Sequence, residues 1–229
     1  MKRDDMKILI IAAHPDDEVY GMGGTIAKLN RAGNEIYVLI VTEGCSTQYV
    51  GNKDIILKKQ KEAQIAGEIL GIKAVMFSNL PDMKLDTVSH VAVNQVIEDA
   101  IRKIKPAIVY THHRGDVNKD HRIVYESTMV AVRPIYTQCV KKILCYAVPS
   151  SSEWNADLVE TTFHPTVFEE IDPFYGLKQR AIESYGTEIR AFPHPRSLKY
   201  VDIFDRAMGL KVGLKRSEGF QLIREISGE

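Results

Sequence analysis

The 229-residue chain reads as an α/β protein, a Rossmann-like, mainly parallel β-sheet sandwiched by helices. Three observations carry that reading. Short β-branched runs alternate with longer segments of helical period. The runs are apolar throughout, as in strands buried on both faces. Their spacing is that of successive βαβ units with right-handed crossovers. A hydrophobic content of 45% and a charged content of 26% place the chain among globular proteins rather than disordered, collagenous or coiled-coil ones.

Residues 7–13 (KILIIAA) form the first expected strand. Met22, Ile26 and Leu29 mark one face of a helix over about 20–32, closed by Gly33 just past its end, where glycine is favoured. Residues 35–42 (EIYVLIVT) are a second strand. Over 54–70, Ile55, Leu57, Ile65, Ile69 and Leu70 lie among lysines and glutamates in a helix ended by Gly71, and 74–77 follow as a third strand. Val93, Ile97, Ala100, Ile101 and Ile104 share a helical face, and that helix must stop before Pro106, because proline disfavours the α region in the residue before it. Residues 107–111 (AIVYT) are a fourth strand, 121–132 a helix and 142–148 (KILCYAV) a fifth strand. Beyond Pro149 the rhythm breaks. There 166–171 reads as a strand, 173–185 and 198–208 as helices, and 220–226 as a last strand or a helix. No repeat or clear linker interrupts the chain, so a single domain over 1–229 is expected, with a core over about 1–150 and a variable C-terminal third over 151–229.

Lysine plus arginine and aspartate plus glutamate both number 30, giving a formal net charge of +0 and a pI near 7.1. That balance excludes the basic footprint of a nucleic-acid binder and the polybasic anchor of a membrane-surface protein. Cys45, Cys139 and Cys145 are odd in number and form no C-x-x-C pair, as expected of reduced thiols in the cytoplasm. The first apolar run is too short for a signal-peptide core, and no stretch approaches the ~18 apolar residues of a spanning helix. The expectation is a soluble, cytoplasmic protein whose neutral surface permits a homo-oligomer.

Open parallel sheets bind ligands at the carboxyl ends of their strands, and two such ends here are dense in ligating side chains. The first strand runs into His14-Pro15-Asp16-Asp17-Glu18. The fourth runs into Thr111-His112-His113-Arg114-Gly115-Asp116-Val117-Asn118-Lys119-Asp120-His121. Strands one and four are neighbours in the common doubly wound orders, so both clusters should face one crevice. Helix capping accounts for one or two of the acids, but not for a histidine, a rigid proline and two adjacent aspartates together. Two imidazoles and one carboxylate suit Zn²⁺ with a position left for water, and the pattern alone leaves open which residues supply them.

The segment A-H-P-D-D-E at 13–18, with D-x-N-x-D-H at 116–121, resembles the LmbE-like (PIG-L) family of zinc-dependent N-acetylglucosaminyl deacetylases. The resemblance continues through T-E-G at 42–44, E-x-x-x-A-x-x-x-L-G at 62–71, H-P-R-S at 194–197, G-x-x-x-G at 209–213 and E-G-F at 218–220. It implies a Rossmann-like fold, one Zn²⁺ (or another divalent metal) per chain held by His14, Asp17 and His121, and Asp16 as general base. The implied reaction removes the N-acetyl group from an amino sugar or small glycoside by attack of a metal-activated water, and the implied partner is that small molecule. Relatives carry a histidine where this chain has Asn118, which donates an amide hydrogen bond but cannot act as acid, base or cation. Asp16 is therefore expected to carry more of the proton traffic, with His112 or His113 as helpers. Where relatives place an arginine before the E-x-x-x-A helix, this chain has Lys59, a point charge without the bidentate fork.

Further candidates flank these motifs. Glu43 and Asp82 follow strands two and three at the rim and are candidates to bind sugar hydroxyls, while His194 and Arg196 correspond to pocket residues of relatives. Asp120 is a candidate to orient a neighbouring ligand. Gly21-x-Gly23-Gly24 lacks the third glycine of a dinucleotide fingerprint and reads as close helix–sheet packing. His164 reads as structural, and Trp154 as a partly buried anchor or a sugar platform. Rival readings are an N-acyl amidohydrolase with a non-sugar substrate, a metal-retaining protein without activity, and a non-catalytic nucleotide-binding module.

Overall fold

The computed structural model describes residues 6–45, 53–135 and 138–227, and within them strand and helix alternate as the periodicity predicts. β1 (Lys7–Ala12), α1 (Asp17–Arg31), β2 (Glu35–Thr42), α2 (Lys53–Leu70) and β3 (Ala74–Leu80) come first. They are followed by α3 (His90–Ile104), β4 (Ile108–His112), α4 (Lys119–Ala131) and β5 (Lys142–Tyr146). The last third adds β6 (Val167–Glu170), α5 (Tyr175–Ser184), α6 (Leu198–Leu210) and β7 (Ser217–Glu225). All seven strands join one sheet in the order β3-β2-β1-β4-β5-β7-β6. β1 to β5 are parallel, and β7 runs antiparallel to both β5 and β6.

Strand β1 is central, paired with β2 from Lys7↔Glu35 to Ala12↔Ile40 and with β4 from Ile8↔Ile108 to Ile10↔Tyr110. Its side chains alternate between two cores because successive strand residues point to opposite faces. Ile8, Ile10 and Ala12 pack with residues of α1, α2 and α5, whereas Leu9, Ile11 and Ala13 pack with residues of α3 and α4. The uninterrupted apolar run in the sequence is thus the signature of a strand with a helical layer on each side. Helix α3 turns the predicted stripe of Val93, Ile97, Ala100, Ile101 and Ile104 inward. The Ser89 hydroxyl caps its first turn by accepting the Ala92 amide at 3.3 Å, and Lys105 ends it at φ 54°.

The glycine-rich start of α1 is a packing device. A Cβ on Gly21 would lie 2.4 Å from Tyr146 Cδ2, and one on Gly24 would lie 2.7 Å from Ile171 Cβ. Of residues 220–226, open between strand and helix by pattern, 220–225 belong to β7 and Ile226 lies just past its end. The strand's amides and carbonyls find partners on both edges, which a short helix there would not provide. Two helices begin earlier than their apolar periodicity indicates: α1 at Asp17 instead of residue 20, and α4 at Lys119 instead of 121. Polar residues of both first turns are buried, Asp17 and Glu18 in α1 and Asp120 and His121 in α4, because they face the crevice between β1 and β4. The strand expected over 142–148 stops at Tyr146. The helix expected over 173–185 is a 3-10 turn at Asp172–Phe174 followed by α5.

Candidate active site

The chain leaves β1 on one side of the sheet to reach β2 and returns to the other side at β4, so the gap between the ends of β1 and β4 is a topological switch point. Both polar clusters meet there. His14 Nδ1 lies 3.1 Å from His121 Nε2, and Asp17 Oδ2 lies 3.4 Å from each of those nitrogens. Ligand atoms about 2.0–2.1 Å from a tetrahedral ion are about 3.3–3.4 Å apart, so this triangle has the size of one face of a zinc coordination shell. All three residues are buried and are able to hold a metal ion.

The outer nitrogens strengthen that fit. His14 Nε2 faces Asp120 Oδ2 at 3.2 Å and Asp82 Oδ1 at 3.3 Å, while His121 Nδ1 faces Asp116 Oδ2 at 3.0 Å. Donating the outer N–H to a carboxylate leaves each inner lone pair directed at the triangle, the arrangement that orients metal-binding histidines. Asp120 is itself fixed, its Oδ1 accepting the Leu85 amide at 3.1 Å. Asp116 accepts the Ser151 hydroxyl, the Ser152 hydroxyl at 2.6 Å and the Asn118 amide at 2.8 Å. Burial opposes ionisation of Asp116, yet His121 and the two serines hold its carboxyl well below the ordinary range.

Asp16 and Asp17, adjacent in sequence, occupy opposite environments. Burial pushes the Asp16 carboxyl well above the usual carboxylate range, with Arg196 pulling against it. Asp17 is equally buried, but His121 and His112 hold it well below that range. Neighbouring carboxyls driven apart in this way are a general mark of sites where acid and base work is divided between two groups. Asp16 stands at the N-cap of α1 with φ 112°, and its side chain makes no capping bond. Neither of its buried oxygens has a hydrogen-bond partner; the approach of Arg196 Nη1 to Oδ2, at 3.3 Å, is an ion pair.

A non-glycine residue at such a φ is strained and persists only where its surroundings hold it. Here Glu18 Oε2 accepts the Asp16 amide at 3.3 Å, and Glu18 Oε1 accepts the Tyr185 hydroxyl at 2.5 Å. Burial raises the Glu18 carboxyl to about 7 against the Tyr185 bond, which lowers it. The T-E-G turn braces the same loop. Gly44 has φ +72°, and a Cβ there would meet Pro15 Cδ at 2.6 Å.

His14, Asp16, Lys59, Asp82, Asn118 and Arg196 line one pocket together with Glu188. Asn118 caps α4, its Oδ1 accepting the Asp120 amide at 2.9 Å, and its Nδ2 approaches Met83 Sδ at 3.4 Å. Lys59 Nζ donates to the Gly44 carbonyl at 2.6 Å and lies 2.6 Å from Glu188 Oε1. His194 stands behind Arg196, accepting its backbone amide at 3.0 Å, with the edge of Trp154 against the imidazole. Glu43 borders a neighbouring depression with Gln60, Asn79 and Pro81. His112 stacks on His121 at 4.0 Å between centroids, and its Nε2 accepts the Ala13 amide at 2.8 Å. His113 instead donates to the Thr161 carbonyl at 2.8 Å, away from the triad.

Four residues of this site have no signal of their own in the sequence. Asp116 enters only as the first letter of D-x-N-x-D-H, and Glu18 only as the last letter of A-H-P-D-D-E. Glu188 and Tyr185 come from the C-terminal third with no motif around them, and nothing local predicts their partners.

Comparison with known proteins places the chain in a family. The family model described as "PIG-L: GlcNAc-PI de-N-acetylase" matches residues 9–132 of the 229. The uncharacterized deacetylase YaiS of Escherichia coli (strain K12) is 33% identical over 187 residues, covering 78% of this chain and 89% of that protein. Among solved structures, the N,N'-diacetylchitobiose deacetylase of Pyrococcus horikoshii superposes with TM-score 0.78 at 22% identity, over 96% of this chain and 85% of that one. GalB, the 4-carboxy-2-hydroxymuconate hydratase of Pseudomonas putida KT2440, does so with TM-score 0.76 at 20% identity, over 98% of both chains. Likeness at that level shows the fold, which hosts more than one reaction, so the chemistry must be argued from the site. On the match to its family model and to YaiS, the chain belongs to the PIG-L (LmbE-like) family of de-N-acetylases.

Proposed function

We propose that the protein is a zinc-dependent N-deacetylase that hydrolyses the acetamide of an N-acetylated amino sugar of the N-acetylglucosamine type or a small glycoside of one. The observation that carries this reading is the triangle of His14, Asp17 and His121 beside a buried aspartate, Asp16, whose oxygens have no hydrogen-bond partner. Buried polar atoms without partners are uncommon, and at a pocket they mark a place where a ligand supplies the partner. The family description supports the sugar, since GlcNAc-PI carries N-acetylglucosamine. The absence, among the described residues, of a helix long and apolar enough to cross a membrane fits a dissolved substrate, and three free cysteines suit the cytoplasm.

His14, Asp17 and His121 would hold the ion, with Asp120 and Asp116 fixing the two imidazoles. Zinc bound there supplies Lewis acidity, which lowers the pKa of water towards neutrality and polarises a carbonyl. Asp16 takes the proton of the attacking water through oxygens that no other group of the protein hydrogen-bonds. The same carboxyl then protonates the departing amine, since Asn118 has no proton to give. Arg196 holds Asp16 Oδ2 in position. The amide of Asn118, fixed by its capping bond, lines the pocket as a neutral donor.

The test is metal content by elemental analysis and acetate release from N-acetylglucosamine and from N-acetyl amino acids, with wild type beside His121→Ala. About one zinc per chain, lost in the variant, with acetate released from the sugar alone, is the expected result. Acetate from the amino acids alone would move the assignment to an amidohydrolase of non-sugar substrates. Protein that takes up no zinc even after reconstitution would overturn the proposal.

A further inference from the structure

Two cations, Lys59 and Arg196, line the pocket, and such a pair would ordinarily suggest recognition of a phosphate or carboxylate. Both are already committed to one carboxylate. Lys59 Nζ lies 2.6 Å from Glu188 Oε1, and Arg196 Nη1 donates to Glu188 Oε2 at 2.5 Å. Their remaining bonds also go to the protein. Lys59 donates to the Gly44 carbonyl, while Arg196 reaches Ser150 Oγ at 3.0 Å and Asp16 Oδ2 at 3.3 Å. The Lys59 and Glu188 side chains are only 5% and 4% exposed, so this pair is part of the wall and not a surface contact. Asp82, 6% exposed, adds a third carboxylate to Asp16 and Glu188 in the same lining.

We propose that this pocket selects an electrically neutral N-acetyl amino sugar and that Glu188 is the residue that sets the selection. The inference rests on the deacetylase reading above and names the class of sugar it accepts. An anionic group on the sugar could reach Lys59 and Arg196 only by displacing Glu188, which would leave a buried carboxylate without its partners. Without that displacement, the anion would meet the Glu188 carboxylate that already occupies both cations. Sugar hydroxyls meet no such penalty, because carboxylates accept their protons and the guanidinium donates to their oxygens.

The experiment compares kcat/KM of the zinc-loaded protein for N-acetylglucosamine, its 1-phosphate and its 6-phosphate, in wild type and Glu188→Gln. Wild type should favour the neutral sugar by about tenfold or more, and Glu188→Gln, which frees both cations, should narrow that ratio by about tenfold. Calorimetry with glucosamine and glucosamine 6-phosphate reads the same discrimination without turnover, and the phosphate should gain affinity in the variant relative to wild type. Wild type hydrolysing either phosphate as well as the neutral sugar would overturn the proposal while leaving the deacetylase reading intact. So would an unmoved ratio in Glu188→Gln. Release of acetate from none of the three, nor from small neutral glycosides of N-acetylglucosamine, would overturn both. If Glu188→Gln does not fold, the wild-type ratio alone decides.

Discussion

Two clusters of buried charge among the described residues are built differently. In the C-terminal third, Lys178 Nζ donates to both oxygens of Asp205, at 2.9 and 2.8 Å, and lies 2.9 Å from Glu218 Oε1. Glu218 in turn accepts the amides of Gly24 at 2.9 Å and Thr25 at 2.6 Å. Those amides are available because Met22, at φ −154°, breaks the helical ladder of α1, so Glu218 caps the second half of that helix. The Lys178 ammonium and all four oxygens of Asp205 and Glu218 have partners. At the ends of β1 and β4, by contrast, both Asp16 oxygens, Asp17 Oδ1 and His112 Nδ1 are buried without a hydrogen-bond partner. A closed cluster holds elements together, here β7, α5 and α6 against α1. An open one is a place where something else must bind.

Substitutions should separate the two clusters by effects of opposite kind. Asp16→Asn removes the proposed proton carrier while keeping a residue that tolerates positive φ. Its kcat should fall by about 10²–10⁴ with zinc content unchanged, and its melting temperature should rise by a few degrees (~1 kcal/mol), because a buried carboxyl whose oxygens lack hydrogen-bond partners is gone. A melting temperature lowered by the substitution would mean that Asp16 belongs to the closed kind. Lys178→Met should do the reverse. It leaves Asp205 and Glu218 buried without their cation, at a cost of about 3–5 kcal/mol of stability by denaturant unfolding, while molecules that remain folded keep their zinc.

The outer carboxylates should give a smaller change. Asp116→Asn weakens the grip on His121, and zinc affinity, measured by competition with a chelator, should drop by about 10–100-fold. Equal affinity in the variant would assign Asp116 to the Ser151–Ser152 loop alone. Smaller again is Tyr185→Phe, which removes one of the two bonds that hold Glu18 and, through it, the strained Asp16 backbone. It should reduce kcat by about tenfold with little change in KM, as expected of a residue that positions a catalytic group without touching substrate. A change confined to KM would contradict that role.

The pH dependence of the metal-free protein sharpens the same contrast. Burial alone would lower the imidazole pKa values, but Asp120 and Asp17 raise His14 to about 10, and Asp17 and Asp116 raise His121 to about 9. A base with a raised folded pKa contributes stability that is complete below its unfolded value of 6.5 and is lost as pH climbs through the folded value. Chelator-treated protein should therefore lose thermal stability between about pH 6.5 and about 10, and the zinc-loaded form should lose less, because the metal takes the same nitrogens. Parallel curves for the two forms would argue against ligation by these histidines.

Much of this architecture is legible in the order of residues, because it depends on interactions a few positions apart. The β-branched runs specify strands, and the stripe from Val93 to Ile104 specifies a helix face. The spacing of A-H-P-D-D-E places a ligand, a rigid turn and two carboxylates within one loop. The C-terminal third is less legible, since a segment such as 217–225 is a strand only through its pairing with β5 and β6. The starts of α1 and α4 are obscured for a different reason: polar residues are buried there by a site, which inverts the usual relation between hydrophobicity and burial.

What the chain determined by itself is therefore the alternation of elements, the crevice between β1 and β4, and the local spacing of His14, Asp16 and Asp17. Tertiary structure alone decided which of the two aspartates is starved of partners, that Glu188 takes up both Lys59 and Arg196, and that Tyr185 steadies Glu18 from 167 residues away. The physical reason is range. Backbone sterics and side-chain periodicity act over one or two turns, whereas desolvation and ion pairing act through space among groups the chain brings together only once it is folded.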